Sequence, residues 1–294
     1  MSGNIKFGLC LPIRIDTDAD FCVDLAVRAE ALGFDSVWAS DHTVIPSSRV
    51  GRFSKVFHDP FVLLSAAAAR TTSIKVGLSV LIAPYRNPLI AAKSVATLDE
   101  VSKGRALLGV GAGWMKREFD ILGAEFERRG AYTDEAIDVF RELWGSENPE
   151  FSGEFTEFSD IAFYPKPVSG GKLPIYVGGN GEKSAARAAQ KGDGWQPTGI
   201  SPAGYAEKSA FIKNAVKGRS DFVFSVRNRV SFGSESAKGS MYTFSGDAGN
   251  VCREVEEFSE SGVTLVLFDP EADTTEGITE IVEILGSSVL PRFR

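Results

Sequence analysis

Residues 5–42 read IKFGLCLPIRIDTDADFCVDLAVRAEALGFDSVWASDH. A short apolar run at 5–11 ends at Pro12 and reads as a strand. An amphipathic helix follows over 19–32, with Thr17 and Asp20 in a capping-box-like start. Gly33 stops that helix, and FDSVWA at 34–39 reads as a second strand. Strand, helix, glycine, strand is the unit of a parallel α/β sheet.

The unit recurs along the chain. A helix over 60–70 precedes a strand at 74–81 (IKVGLSVL), and a helix from Pro88 to Lys103 precedes a strand at 105–110 (RALLGV). Further strands are expected at 174–177, 194–197, 222–232 and 263–268, and further helices at 132–144, 182–190, 202–216, 247–260 and 276–285. Gly33, Gly104, Gly192 and Gly262 each stand between a helix and the next strand, where a residue in the left-handed conformation is expected. Asp59-Pro60, Asn87-Pro88 and Ser201-Pro202 each place a capping side chain before a proline at the first helical position. Eight strands alternating with helices predict an α/β fold, a (β/α)8 TIM barrel. It is expected to form one domain over 1–294, with insertions after strand 4 (145–171, with a short hairpin) and strand 7 (233–246). An open doubly wound sheet is the alternative. It would carry a glycine-rich turn after the first strand, where this chain has Leu11-Pro12-Ile13-Arg14.

A chain of 294 residues, 43% hydrophobic, can bury a large core without disulfide or metal staples. A net charge of −7 without a basic stripe argues against nucleic acid as a partner. No apolar run is long enough to span a bilayer, and the opening MSGNIKFGLCLP is not expected to be a signal peptide. Cys10, Cys22 and Cys252 are scattered and read as reduced thiols of a cytoplasmic protein. With only two histidines, no metal site is expected.

A barrel gathers its chemistry in the loops after its strands. Ser40-Asp41-His42 follows the second strand, and histidine suits proton transfer near neutral pH. His42 is therefore a candidate catalytic residue or, alternatively, a hydrogen-bonded loop residue. His58, next to Asp59 at a helix start, is assigned to the capping region. The fourth strand runs into Gly109-Val110-Gly111-Ala112-Gly113-Trp114, which permits close backbone approach to a ligand or forms a bulge. The fifth runs into Gly178-Gly179-Asn180-Gly181 and a helix start, a ready anion site or simply a tight turn. Gly192-Asp193-Gly194-Trp195 again sets glycine beside an aromatic.

The stretch ATLDEVSKGRALLGVGAGWMKREFDILGAEFERRG at 96–130 closely resembles the bacterial luciferase-like superfamily. So do Ser40-Asp41-His42, PIYVGGNG at 174–181, the 192–195 motif and the ending LPRFR. The resemblance covers nearly the whole chain, least clearly 145–171 and 233–246, and is nearest to oxidoreductases that use the deazaflavin coenzyme F420. It implies a TIM-like barrel with a flavin-type ring at its C-terminal mouth and a small-molecule substrate. His42 and Asp41 would be catalytic, with His42 exchanging a proton and Asp41 orienting it or touching the cofactor. A non-prolyl cis peptide at Ser79-Val80 would lie behind the ring, Gly111, Ala112 and Gly113 along the cofactor, and Gly178, Gly179, Asn180 and Gly181 at its phosphate. Trp38, Trp114 and Trp195 are expected in the substrate pocket, and loops 43–57 and 145–171 are expected to set specificity. Homodimers are common among such proteins, so a homodimer is an expectation by analogy.

One departure bears on the substrate. A sugar-phosphate dehydrogenase of this group carries a catalytic glutamate just after the fourth-strand glycines, where this chain has Trp114. Glu118 lies a helical turn later, not in its place. This favours a more hydrophobic substrate. Rival readings are an FMN-dependent monooxygenase of the same superfamily, a non-catalytic flavin-binding protein, and a Schiff-base aldolase. The aldolase would need a lysine at a strand end, and neither Lys75 nor Lys166 is so placed.

Overall fold

Eight parallel strands close on themselves: β1 (Lys6–Cys10), β2 (Ser36–Ala39), β3 (Lys75–Ile82), β4 (Ala106–Gly111), β5 (Ile175–Gly178), β6 (Gly194–Gln196), β7 (Val223–Val230) and β8 (Leu265–Pro270). Each pairs with its chain neighbour, and β8 pairs with β1, which completes the barrel. The computed structural model describes residues 5–233 and 241–294. Nine α-helices are found among these residues: α1 (Ala19–Ala31), α2 (Pro60–Arg70), α3 (Pro88–Val101), α4 (Lys116–Leu122), α5 (Arg129–Gly145), α6 (Glu182–Lys191), α7 (Pro202–Ala215), α8 (Ala248–Glu260) and α9 (Thr275–Ile284).

The alternation of side chains along each strand produces two cores. One face, including Phe7, Leu9, Val37, Val76 and Leu108, packs against the helices. The other supplies a small interior cluster of Cys10, Trp38, Leu107, Tyr176, Leu265 and Leu267. Trp38 fills this interior because Gly8 and Gly77 leave room for its ring, and its indole N–H donates to Ser36 at 2.8 Å. All three cysteines are buried and free, and burial pushes the Cys10 thiol up to about 12.

The local signals explain most boundaries. Asp59 accepts from Phe61 and Val62 N–H, Asn87 from Leu89 and Ser201 from Gly204, each before a proline in the first helical turn. At α1 the cap is Asp18, which accepts from Phe21 N–H, while Thr17 is bonded to the Cys22 thiol instead. Gly33, Gly104 and Gly262 take positive φ as expected, but Gly192 does not. Its φ of −92° is extended backbone, so its small size, close to the Ala188 carbonyl, is what the junction uses.

Three features depart from the alternation. The segment between β4 and α5 folds as the extra short helix α4. The 145–171 insertion holds a two-residue antiparallel hairpin, Phe151–Ser152 with Glu157–Phe158. In the 233–246 insertion, Thr243–Phe244 adds a short strand beside β7, and residues 234–240 lie outside the described residues. No described helix is long and apolar enough to cross a membrane.

Candidate active site

A cavity of about 1020 Å³ opens at the C-terminal ends of the strands. Its floor is the end of β3. The Ser79–Val80 peptide is cis, and the register with β4 shifts between Leu78 and Leu81. The Val80 side chain stands over β4 and β5, where a Cβ at Gly111 or Gly178 would come within 2.7 Å of it. Those glycines make room for the β3 bulge. Gly113 has a φ of +78°, so the turn out of β4 needs a residue without a Cβ.

His42 lines the cavity and is held from behind. Its Nδ1 lies 2.7 Å from the Glu118 carboxylate, which also accepts Thr43 N–H at 2.7 Å, Val44 N–H at 3.1 Å and the Tyr85 hydroxyl at 2.8 Å. The carboxylate oxygen accepts the Nδ1 proton, so Nε2 is the nitrogen left for the cavity. Burial pushes the Glu118 carboxyl up, but bonds from His42, Tyr85 and Val44 outweigh it and hold the carboxyl below its ordinary value. Phe57 meets the imidazole edge-on at 5.2 Å, and Phe53 and Trp114 lie at 6.2 and 6.3 Å.

Asp41 borders the cavity but, among the described residues, makes no hydrogen bond to His42. It is buried, it binds Arg86 through both oxygens at 2.6 and 2.8 Å, and it accepts Ile82 N–H at 2.9 Å. It therefore ties the end of β2 to the end of β3. Glu118, not Asp41, makes the bond that orients His42. His58 Nε2 donates to the Thr17 carbonyl at 3.1 Å, away from the cavity lining.

The opposite wall is the β5 turn. Gly181 gives α6 no side-chain cap; Ser184 N–H donates to the Gly181 carbonyl at 3.1 Å, so the Glu182 and Lys183 N–H groups are the open ones among the described residues, with the Lys183 and Arg129 side chains alongside. The Asn180 amide is occupied, accepting Thr198 N–H at 2.9 Å and donating to its carbonyl at 2.7 Å. Beneath this wall the Gln196 carbonyl accepts the Ser79 hydroxyl at 2.7 Å, while its buried amide nitrogen has no partner among the described residues. Open N–H groups and an unpaired amide in one cavity fit a flavin-type cofactor with a phosphate tail.

His42, Asp41, Ser79, Val80, Gly111, Ala112, Gly113, Trp114, Gly178, Gly179, Asn180 and Gly181 all border this one cavity. Trp38 and Trp195 do not. Trp38 sits inside the barrel below it, and Trp195 is fully buried against Tyr205, its N–H donating to the Gly179 carbonyl at 2.9 Å. The inward-facing Arg227, which binds Ser40, Ser79 and Asp269, was not singled out by the sequence reading. Its signal is the alternation Ser225, Arg227, Arg229 along β7. Among the described residues no group of three or more His, Cys, Asp or Glu is placed to hold a metal ion.

The family model for luciferase-like monooxygenases matches residues 5–255. The chain belongs to that family. A member from Amycolatopsis mediterranei, an F420-dependent glucose-6-phosphate dehydrogenase, is 38% identical over 179 residues, 59% of this chain and 51% of the relative. The chain thus spans about half the length of the curated relatives it matches. Among solved structures, an F420-dependent secondary alcohol dehydrogenase in complex with an F420-acetone adduct superposes with a TM-score of 0.84 at 21% identity, covering 99% of this chain and 100% of that one. A monooxygenase from Streptomyces bottropensis superposes with a TM-score of 0.82 at 19% identity, again over 99% of this luciferase-like chain and 100% of its own. At such identities these likenesses establish the barrel alone.

Proposed function

We propose that this luciferase-like protein is an F420-dependent oxidoreductase that moves a hydride between the deazaflavin and a small organic substrate. The observation that carries the reading is the Glu118–His42 pair in the cavity lining, which leaves one imidazole nitrogen for the cavity. The F420 dependence named for the curated relatives supports the choice of cofactor. When bound, the deazaflavin supplies the two-electron chemistry. The open N–H groups of α6 and Lys183 hold its phosphate, and Val80 and the Gln196 amide border its ring. His42 Nε2 takes the hydroxyl proton when an alcohol is oxidised and returns it when a carbonyl is reduced. Glu118 keeps the ring in the required tautomer and stabilises the imidazolium. Trp114, half exposed over the cavity, and Phe53 favour a substrate with an apolar body.

The matched family supports a second reading, an FMN-dependent monooxygenase. Anaerobic mixing with F420 and a panel of secondary alcohols, followed by coenzyme absorbance, tests the first. Hydride transfer that disappears in His42→Ala is the expected result. Oxygen uptake with reduced FMN, and no turnover with F420, would replace it with the second.

A further inference from the structure

One end of the cavity holds a charge that the proton-transfer site does not use. Arg14 follows β1, Arg227 and Arg229 project inward from β7, and Asp269 and Glu271 stand at the end of β8. Arg227 is saturated by Ser40, Ser79 and Asp269, and Arg229 reaches Glu271 at 3.1 Å. Arg14 has no such partner among the described residues. Its one hydrogen bond, to the Arg52 carbonyl, is 3.5 Å long, and its carboxylates stand off at 3.7 Å (Glu271) and 3.9 Å (Asp269). Yet its side chain is only 14% exposed.

Among the described residues, three guanidiniums therefore face two carboxylates. Arg14 Nε, Arg229 Nε, Asp269 Oδ1 and Glu271 Oε2 are buried without hydrogen-bond partners among the described residues. The arginines differ accordingly. Against the opposing effect of burial, Arg86 is held above its ordinary value by Asp41, and Arg227 by Cys10 and Asp269, whereas burial pushes Arg14 down. A buried surplus cation is costly until an anion joins it. The surroundings show where the rest of such an anion lies. The Phe53 ring is 5.8 Å from the Arg14 guanidinium and 6.2 Å from the His42 ring, so a molecule lying on Phe53 reaches both.

We propose that the substrate is an organic monocarboxylate, its carboxylate received by Arg14, its apolar body lying on Phe53 and Trp114, and its reacting group within reach of His42. A carboxylate matches the planar fork of a guanidinium. Its single charge balances the surplus, whereas a phosphate monoester carries about −1.5 to −2 at neutral pH and overshoots it. The assignment of the reacting group rests on the oxidoreductase reading; the anion site does not.

The test is calorimetric titration of the purified protein with benzoate, methyl benzoate and phenyl phosphate, in the wild type and in Arg14→Met, with the F420 affinity of each measured alongside. Benzoate is expected to bind at least about tenfold more tightly than either analogue. Arg14→Met is expected to abolish that preference and to keep its F420 affinity within about twofold. Equal binding of benzoate and methyl benzoate, tighter binding of phenyl phosphate, or unchanged benzoate binding in Arg14→Met would each overturn the proposal. Should Arg14→Met fail to fold, the three wild-type ligands decide alone. In the wild type, absence of a benzoate preference with F420 binding intact rejects the anion site and spares the cofactor. Benzoate preference without F420 binding does the reverse.

Discussion

Replacing Glu118 with alanine removes the acceptor of four hydrogen bonds at once. The carboxylate is fully buried and serves His42 Nδ1, Thr43 N–H, Val44 N–H and the Tyr85 hydroxyl. Each stranded donor costs about 1–3 kcal/mol, and water entering the vacated space recovers part of that. The expected loss is about 3–5 kcal/mol, the usual range when one partner of a buried charged pair is removed. Glu118→Gln preserves the shape and one acceptor oxygen but sets an amide nitrogen against Nδ1 or the tyrosine hydroxyl, so about 1–3 kcal/mol is expected. Urea unfolding near neutral pH reads both losses, and a double-mutant cycle with His42→Ala should return a coupling of about 1.5–3 kcal/mol. The pH dependence provides a second reading. The Glu118 carboxyl is held below its ordinary value, so its contribution is full above about pH 4.3 and is lost as pH falls through the folded value. That loss should be missing in Glu118→Gln. A cost below about 1 kcal/mol for Glu118→Ala with an unchanged urea slope, or a coupling near zero, would refute the role given to this residue.

Other perturbations address other parts of the site. His42→Ala should lower turnover by roughly 10²–10⁴-fold, with cofactor affinity retained in a binding titration. Gly178→Ala would place a Cβ 2.7 Å from Val80 Cγ1. Overpacking of that kind costs about 1–3 kcal/mol, to be read as a lower unfolding midpoint together with weaker cofactor binding. Glu30 accepts the N–H groups of Thr72, Ser73 and Ile74; against the opposing effect of burial, these bonds bring its carboxyl down to about 2. Its stabilisation is therefore full above about pH 4.3 and is lost as pH falls towards 2. Glu30→Gln should flatten stability over that window in acid titrations followed by circular dichroism.

The barrel was legible because its signals are local. Proline after a capping side chain starts α2, α3 and α7 where expected, and three of four junction glycines take positive φ. Gly192 shows the limit, since a glycine kept for space looks the same in sequence as one kept for its backbone angle. The loops that border the cavity were legible from their position after strands. Their division of labour was not. Glu118 lies 76 residues from His42, and only the successive pairing of β2, β3 and β4 brings them together. Trp38 and Trp195 looked like pocket residues because they sit near strand ends, but alternation along a strand sends successive side chains to opposite faces. One is inside the barrel, and the other packs under the helices. The same alternation, applied to β7, would have drawn Arg227 and Arg229 into the site.

The account rests on the proposal that the cavity takes a deazaflavin, and parallel titration of the cofactor-free protein with F420 and FMN tests that proposal most directly. Trp114 borders the cavity and is half exposed, so its fluorescence reports occupancy, while the interior Trp38 does not. Tight, saturable quenching by F420 with much weaker quenching by FMN is the predicted result, and it should weaken when Trp114 is replaced by phenylalanine. Tight binding of FMN with little response to F420 would contradict the account and move the protein to the oxygen-using side of its family.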